Sequence, residues 1–341
     1  MQIAQRQIDQ NQSPYCIAEI SGNHLGEIYN CFELIKAAKE CGADAVKLQC
    51  YTPDSITIDC DSPRFIINEG PWAGRKLYDL YEEAHTPPAW FPDLMAYARH
   101  ENITAFASVF DNWGVDLMHK LGAPAMKISS FDITDIPLIQ HAAATGLPMI
   151  LSTGMASARE IIAADDALPE SVDRLFLHCV SGYPTPIEES NLQGLKKLHH
   201  LLQMNVGLSD HCLGNEVVCA SVALGAVAIE KHLTARRSAG GPDSKFSLEP
   251  SEFKSMVEVA KAVHLSLRQP PPASAEASSL PFRKGLYIVS DVLAGQQLSD
   301  SDVRAIRPAG NLPPSSLPEV VGRYARRALK RGDPVSSDDL E

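Results

Sequence analysis

The sequence has no surplus of positive charge: 30 Lys and Arg stand against 42 Asp and Glu, a formal net charge of −12. That balance leaves nothing to track a phosphate backbone, so general nucleic-acid binding is excluded and an anionic substrate needs a locally built site. Long hydrophobic runs are also missing. The longest mostly apolar stretch, Val217 to Ile229, is shorter than the ~20 residues of a membrane span, so no membrane association is expected. Met1 to Gln12 is polar and lacks the apolar core of a secretory signal, and the expected compartment is the cytoplasm. No pair among the eight cysteines has CxxC spacing, and Cys16, Cys31, Cys41, Cys179 and Cys219 lie inside apolar segments. Buried reduced thiols are therefore expected in place of disulfides or a cysteine zinc site.

What is present is a globular composition, with 45% hydrophobic and 21% charged positions over 341 residues. Disorder and collagen-like repeats are excluded, and one large core is affordable. Between Tyr15 and Leu267 a short apolar run alternates eight times with a longer amphipathic one. The expected strands are Tyr15–Ile20, Ala45–Leu48, Thr104–Ser108, Ala125–Ile128, Pro148–Leu151, Leu175–His178, Asn205–Leu208 and Val227–Lys231. Expected helices include Ile28–Glu40, Pro88–Arg99, Ile136–Thr145, Ala158–Leu168 and Phe253–Leu267. Eight βα units in this span have the size and rhythm of a TIM (β/α)8 barrel, so residues 1–267 are read as that α/β domain. A doubly wound open sheet is the alternative, but it more usually has fewer strands and a Gly-rich first turn. Cys50 to His85, after the second strand, is too long for an ordinary βα loop and reads as a functional insertion at the barrel mouth. It carries Trp72, Tyr78 and Tyr81.

Arg268 to Ser279, with Pro270, Pro271 and Pro272, reads as a linker. Residues 280–341 have a different texture, short apolar runs among Gly and Pro turns, with 9 basic against 8 acidic residues. The acidity therefore lies in the barrel, and the tail is a separate module too small to build much core alone.

In a TIM barrel the chemistry sits at the C-terminal strand ends. Those positions hold Glu19, Lys47, Gln49, Ser108, Lys127, Ser129, Ser130, Ser152 and Thr153 in the first five units. His178, Ser181, Tyr183, Ser209, Asp210, His211, Glu230, Lys231 and His232 follow in the last three. A turn satisfies any one of these, but so many at one end are expected to converge on the mouth. Two lysines among hydroxyls suit a phosphate or carboxylate, with snorkelling to solvent or a Schiff-base role as the alternatives. His211 and His232 end neighbouring strands and can share a divalent ion, although a lone histidine is more often a hydrogen-bonded packing residue. Glu19 and Glu230 meet where the first strand joins the eighth. They can exchange protons there, or simply pair with Lys47 or Lys231. Asp243, in the run Gly240 to Ser244, belongs to a loop over the same mouth.

At this point the segments resemble one family along nearly the whole chain. They are Ala18-Glu19-Ile20 with Asn23-His24, Val46-Lys47-Leu48-Gln49, Lys127-Ile128-Ser129-Ser130-Phe131 and Leu151-Ser152-Thr153-Gly154-Met155. Tyr183-Pro184-Thr185-Pro186, Gly207-Leu208-Ser209-Asp210-His211, Ile229-Glu230-Lys231-His232 and Ser247-Leu248-Glu249-Pro250 complete the set. The chain resembles the sialic acid synthases, which condense phosphoenolpyruvate with an amino sugar to nine-carbon keto acids. The tail, in Arg283 through Tyr287 and Ile306-Arg307-Pro308, is similar to the family's antifreeze-protein-like (SAF) module. The resemblance implies phosphoenolpyruvate at Lys47, Ser108, Lys127, Ser130, Ser152, Ser181 and Ser209, and Mn²⁺, with Mg²⁺ or Co²⁺ as alternatives, at His211 and His232. It implies that Glu19, Gln49, Asp132, Tyr183 and Asp243 face the sugar or the reacting centre. Carboxylate chemistry makes Glu19 or Glu230 the expected general base for an attacking water. Arg283 is similar to an arginine that reaches from the SAF module into a partner subunit's barrel, which implies a domain-swapped homodimer. Two positions depart from the pattern: Asp132 stands where many members have Glu, and Ser181 where N-acetylneuraminate synthases have Asn. Trp72-Ala73-Gly74, Leu77 to Tyr81, Thr86-Pro87 and Phe246-Ser247-Leu248 resemble the pseudaminic acid synthase branch. That branch uses 2,4-diacetamido-2,4,6-trideoxy-L-altrose, whose methyl and acetamido groups suit an aromatic pocket. The alternatives are an N-acetylneuraminate or legionaminate synthase using N-acetylmannosamine or a diacetamido sugar.

Overall fold

The computed structural model describes residues 1–267 and 274–341. The chain divides into two compact units, Met1–Leu267 and Arg268–Glu341.

In the first unit eight strands close into a parallel barrel: β1 Tyr15–Glu19, β2 Ala45–Cys50, β3 Thr104–Val109, β4 Met126–Ile128, β5 Met149–Ser152, β6 Arg174–Cys179, β7 Val206–Asp210 and β8 Ala228–His232. Register closes the ring, with Ala228 opposite Tyr15 and His232 opposite Glu19. The helices are α1 Ile28–Glu40, α2 Leu77–Ala84, α3 Phe91–His100, α4 Asn112–Lys120, α5 Ile136–Ala143, α6 Ala158–Asp166, α7 Gln193–Leu202, α8 Glu216–Ala223 and α9 Pro250–Ser266. This is the expected TIM barrel, and α2 belongs to the insertion after β2. Local sequence sets the helix starts: Asp111 accepts from the Gly114 amide at 2.7 Å, and Ser157 and Glu160 form a capping box.

Strand alternation sorts the barrel into layers. One set of side chains, including Cys16, Val46, Leu48, Ile128, Leu151, Phe176, Leu208 and Ile229, points outward and packs under the helices. The other set points inward. Its lower layers are apolar, with Tyr15, Ile17, Ala45, Phe106, Ala125, Ile150, Leu175, Leu177 and Ala228. Gly207 lies among them because a Cβ there would come within 2.6 Å of the Leu177 side chain and 2.7 Å of the Ala228 carbonyl. An antiparallel hairpin of Gln2–Ile3 and Arg6–Gln7 adds the fully buried Ile3 and Ile8 to this plug. The hairpin is absent from the sequence reading because two-residue strands give no alternation to read.

The linker expected at Arg268 to Ser279 falls in part on residues 268–273, outside the described residues; Ser274–Ala277 forms one helical turn. In the second unit β9 Gly285–Ile288 pairs antiparallel with β10 Val303–Ile306. Leu286, Ile288, Val292, Leu298, Val335 and Leu340 build a small core of its own.

Candidate active site

Above the apolar plug the inward positions turn polar. Glu19, Lys47, Ser108, Lys127, Ser152, Ser209, Glu230 and His232 are all buried, each one or two inward steps beyond the plug on its strand. Lys47 ion-pairs with Glu19, donates to Ser108 Oγ at 3.0 Å and lies 3.5 Å from Glu230 Oε1. Lys127 donates to Ser152 Oγ at 2.7 Å and lies 3.8 Å from the same Glu230 oxygen. Ser209 Oγ donates to Glu230 Oε1 at 3.1 Å, while Glu230 Oε2 is buried without a hydrogen-bond partner. Two lysines, two carboxylates and three hydroxyls thus form one connected layer. The ion-pair and functional readings of Glu19 and Glu230 describe the same arrangement.

Their neighbours separate the two buried carboxylates. Glu19 is raised to about 7 because desolvation outweighs the attraction of Lys47. Glu230 is also desolvated, yet Lys127 and Lys47 with the Ser209 hydrogen bond pull it below the usual value. Glu19 is the group poised to exchange a proton near neutral pH, and Glu230 stays ionised as the counter-charge of two lysines. Desolvation lowers Lys127 to about 8 against the pull of Glu230. It opposes charge on Lys47 too, but Glu19 and Glu230 outweigh it and raise that pKa.

The histidine pair completes the layer. The rings of His211 and His232 are 5.4 Å apart between centroids. His211 Nδ1 lies 2.9 Å from the Val180 carbonyl, which can only accept, so Nδ1 carries a proton. Burial opposes charge on the ring, but Cys179 and the Val180 carbonyl outweigh it and raise the pKa, and Nε2 offers its lone pair in the neutral form. His232 Nδ1 is buried without a partner. Burial, then His211 and the lysines, hold the His232 pKa well below its ordinary value. Two buried imidazoles, one that offers Nε2 when neutral and one held neutral with an orphaned nitrogen, fit a divalent ion. Among the described residues no group of three or more His, Cys, Asp or Glu could hold one. The protein would thus offer two ligands, one fewer than the usual three of a catalytic site, and the remaining positions would fall to substrate or water oxygens.

Aromatic rings surround the pair: Tyr183 lies 4.3 Å from His211 and 5.1 Å from Phe246, and Phe246 lies 4.9 Å from His232. Trp72 reaches this group from the insertion, 5.9 Å from Tyr183, and its Nε1 donates to the Pro242 carbonyl at 2.9 Å. Tyr81 packs edge-on against the buried Tyr51 at 5.9 Å, whereas Tyr78 is bonded to Asp54 within the insertion. Asp243 accepts from the Ser21 hydroxyl, and burial raises its pKa against that bond. Gln49 is half-buried beside Ser108 in the register. Ser130 Oγ accepts from the Gly154 amide at 3.1 Å, Asp132 accepts from Ser129, and Ser181 lies 4.0 Å from Cys179 Sγ. Arg283 belongs to the second unit, where it is exposed after the turn Leu280–Phe282.

Convergence of every polar strand end does not hold. His178, Asp210 and Lys231 have the opposite parity and point away from the barrel axis. His178 Nε2 bonds the Ser190 carbonyl at 3.0 Å, and Lys231 pairs with Asp210. Thr153 donates to the Leu177 carbonyl at 3.0 Å. Conversely, Cys179, one inward step beyond Leu177, joins the mouth, although its apolar surroundings in the sequence mark it only as a buried thiol. Burial opposes its ionisation, but His211 with Ser130 and Lys127 brings the thiol down to about 7. Tyr51 and Ser21 were also missed. Counting inward from Leu177 would have found Cys179; nothing local marks the other two.

The sequence profile of the NeuB family matches residues 34–270, and that of the SAF domain residues 283–341. The chain is 38% identical over 331 residues to a pseudaminic acid synthase of Campylobacter jejuni, covering 96% of both chains. It is 37% identical over 339 residues to a pseudaminic acid synthase of Helicobacter pylori, covering 97% of this chain and 98% of the other. A solved N-acetylneuraminic acid synthetase from Leptospira borgpetersenii superposes with a TM-score of 0.73 at 30% identity, over 82% of this chain and 94% of that one. Among the described residues no helix is long and apolar enough to cross a membrane.

Proposed function

The chain belongs to the NeuB family, and from that premise we propose that it is a nonulosonic acid synthase of the pseudaminic acid branch. It condenses phosphoenolpyruvate with 2,4-diacetamido-2,4,6-trideoxy-L-altrose, giving a nine-carbon keto acid and phosphate. The observation that carries this reading is the single buried layer in which Lys47, Lys127 and their serine partners lie against two carboxylates of separated pKa and a histidine pair.

Lys47 and Lys127, with Ser108 and Ser152, bind and orient the phosphate and carboxylate of phosphoenolpyruvate. The enol carbon attacks the aldehyde carbon of the open-chain sugar, the C–C bond forms, and the aldehyde oxygen takes the electron pair and then a proton. Water adds to the electron-poor carbon left behind, and its proton passes to Glu19, which is held near neutral pKa for that purpose. Collapse of the adduct breaks the C–O bond and releases phosphate, whose charge the two lysines offset. A divalent ion on His211 and His232, Mn²⁺ by family resemblance, supplies a Lewis acid for the aldehyde oxygen when bound. Trp72, Tyr183 and Phe246 suit the methyl and acetamido groups of the altrose better than a hydroxyl-rich sugar.

Phosphate release is the test, run with phosphoenolpyruvate and Mn²⁺ and, in parallel, the altrose and N-acetylmannosamine. Preference for the altrose is expected. Preference for N-acetylmannosamine would keep the chemistry and replace the branch. Turnover that survives complete chelation would remove the ion from the mechanism. The resemblance also assigns Arg283 to the sugar site of a second copy. Mixing Arg283→Ala with Lys127→Met subunits then restores one working site per mixed dimer, and no recovery overturns that assignment.

A further inference from the structure

Behind the histidine pair, on the outer face of the same two strands, lies a second buried charge pair that the reaction does not use. Lys231 is completely buried and Asp210 is 4% exposed. They are register partners across β7 and β8, and each immediately precedes one of the two histidines. Lys231 Nζ ion-pairs with Asp210 Oδ2 and donates to the carbonyls of Cys212 at 2.5 Å and Gly214 at 3.1 Å. All three ammonium protons therefore have acceptors. Asp210 Oδ1 accepts from the Cys212 amide at 3.0 Å. Gly214, at φ +89°, adopts a conformation that other residues rarely take, and the turn presents its carbonyl to the lysine. The backbone that leaves His211 is thus wound around one ammonium group anchored on the residue before His232.

We propose that Lys231 and Asp210 are positioning residues for the imidazole pair: they lock the loop after His211 to the strand that carries His232, so the spacing of the rings is set before an ion arrives. This inference rests on the metal reading above. A buried ion pair is a weak source of stability, since apolar residues of similar volume often do as well or better. Here its geometry instead ties together the two segments whose relative placement an ion would read. Groups hydrogen-bonded directly to metal-ligating histidines typically matter about 10–100-fold in metal affinity, and a restraint on the adjoining backbone is expected at the lower end of that range.

The test is titration of Mn²⁺ into the full-length protein without substrates, with free Mn²⁺ followed by electron paramagnetic resonance. The variants are His211→Ala, the charge-free double variant Lys231→Met with Asp210→Leu, and Lys231→Arg. Wild type should bind, and His211→Ala should not. The double variant, shown folded by its thermal transition, should bind at least tenfold more weakly while KM for phosphoenolpyruvate is unchanged. Lys231→Arg keeps the charge, but a planar guanidinium cannot meet three converging oxygens, so affinity should fall there too, even if the double variant does not fold. Wild-type affinity in either folded variant overturns the proposal and leaves the metal reading standing. No Mn²⁺ binding by the wild type overturns both.

Discussion

Two buried lysine–carboxylate groups meet at the β7–β8 wall of the barrel, facing opposite ways, and their hydrogen bonding differs. The outward group, Lys231 with Asp210, is saturated: every ammonium proton has an acceptor, and both carboxylate oxygens are engaged. The inward group is not. Glu230 Oε2 and the neighbouring His232 Nδ1 are buried without partners. Buried polar atoms are rarely left unsatisfied in a folded protein, and two of them side by side in a charged layer call for a partner such as a ligand, an ion or water. If the proposed function holds, Lys–carboxylate chemistry serves two purposes in one barrel, holding backbone on one face and receiving substrate on the other.

Breaking each group separately is the clearest challenge to that contrast. Asp210→Ala strands a buried ammonium, and we expect it to cost about 3–5 kcal/mol of stability, the largest single effect here. Thermal or denaturant unfolding measures it, and an unchanged midpoint would mean the outward group holds nothing. Lys127→Met on the inner face should instead lower phosphate release by about 10²–10³-fold. Its thermal midpoint should stay close to wild type, because it removes a charge that burial already disfavours. A large loss of stability would make the inner group structural as well.

A pH profile sharpens the comparison further. Glu19 must be ionised to accept a proton, so kcat/KM should rise as pH increases through about 7. Lys127 must be charged to hold an anion, so kcat/KM should fall as pH increases through about 8. A narrow bell is expected, and Glu19→Gln should abolish its acid limb. An acid limb that persists in that variant would assign the proton transfer elsewhere. The smallest effect belongs to the rim. Trp72→Ala should lower selectivity for the altrose over N-acetylmannosamine by about tenfold, since an aromatic contact is worth about 0.5–1.5 kcal/mol. Equal losses with both sugars would make Trp72 a loop staple.

The eight-fold rhythm was legible because each strand is a compact apolar run followed by an amphipathic helix, and each observed strand overlaps its expected span closely. The charged and hydroxyl residues at the mouth were legible from strand ends alone. Their direction was not, because both faces of a parallel barrel strand are buried and the run Leu175 to Cys179 shows no polar alternation. Strand ends alone therefore place His178, Asp210 and Lys231 at the mouth with the rest, and no alternation in the run marks Cys179 as inward. The contact of Trp72 with Pro242 spans 170 positions in the chain and depends on where the insertion folds back, which no local pattern encodes.

The layering also bears on how such a protein can change over time. Inward and outward sets interleave at every second residue, so deleting one residue within Arg174–Cys179 would exchange Cys179 for His178 at the mouth and press Leu177 against the helices. A comparable slip in Ala228–His232 would swap Glu230 for Lys231 in the reacting layer and invert its charge. Strand length is therefore closed to gradual variation, whereas the insertion after the second strand can lengthen, shorten or exchange its aromatics without disturbing the machinery beneath. New sugar preferences in this lineage should arise by loop drift over a frozen stave pattern.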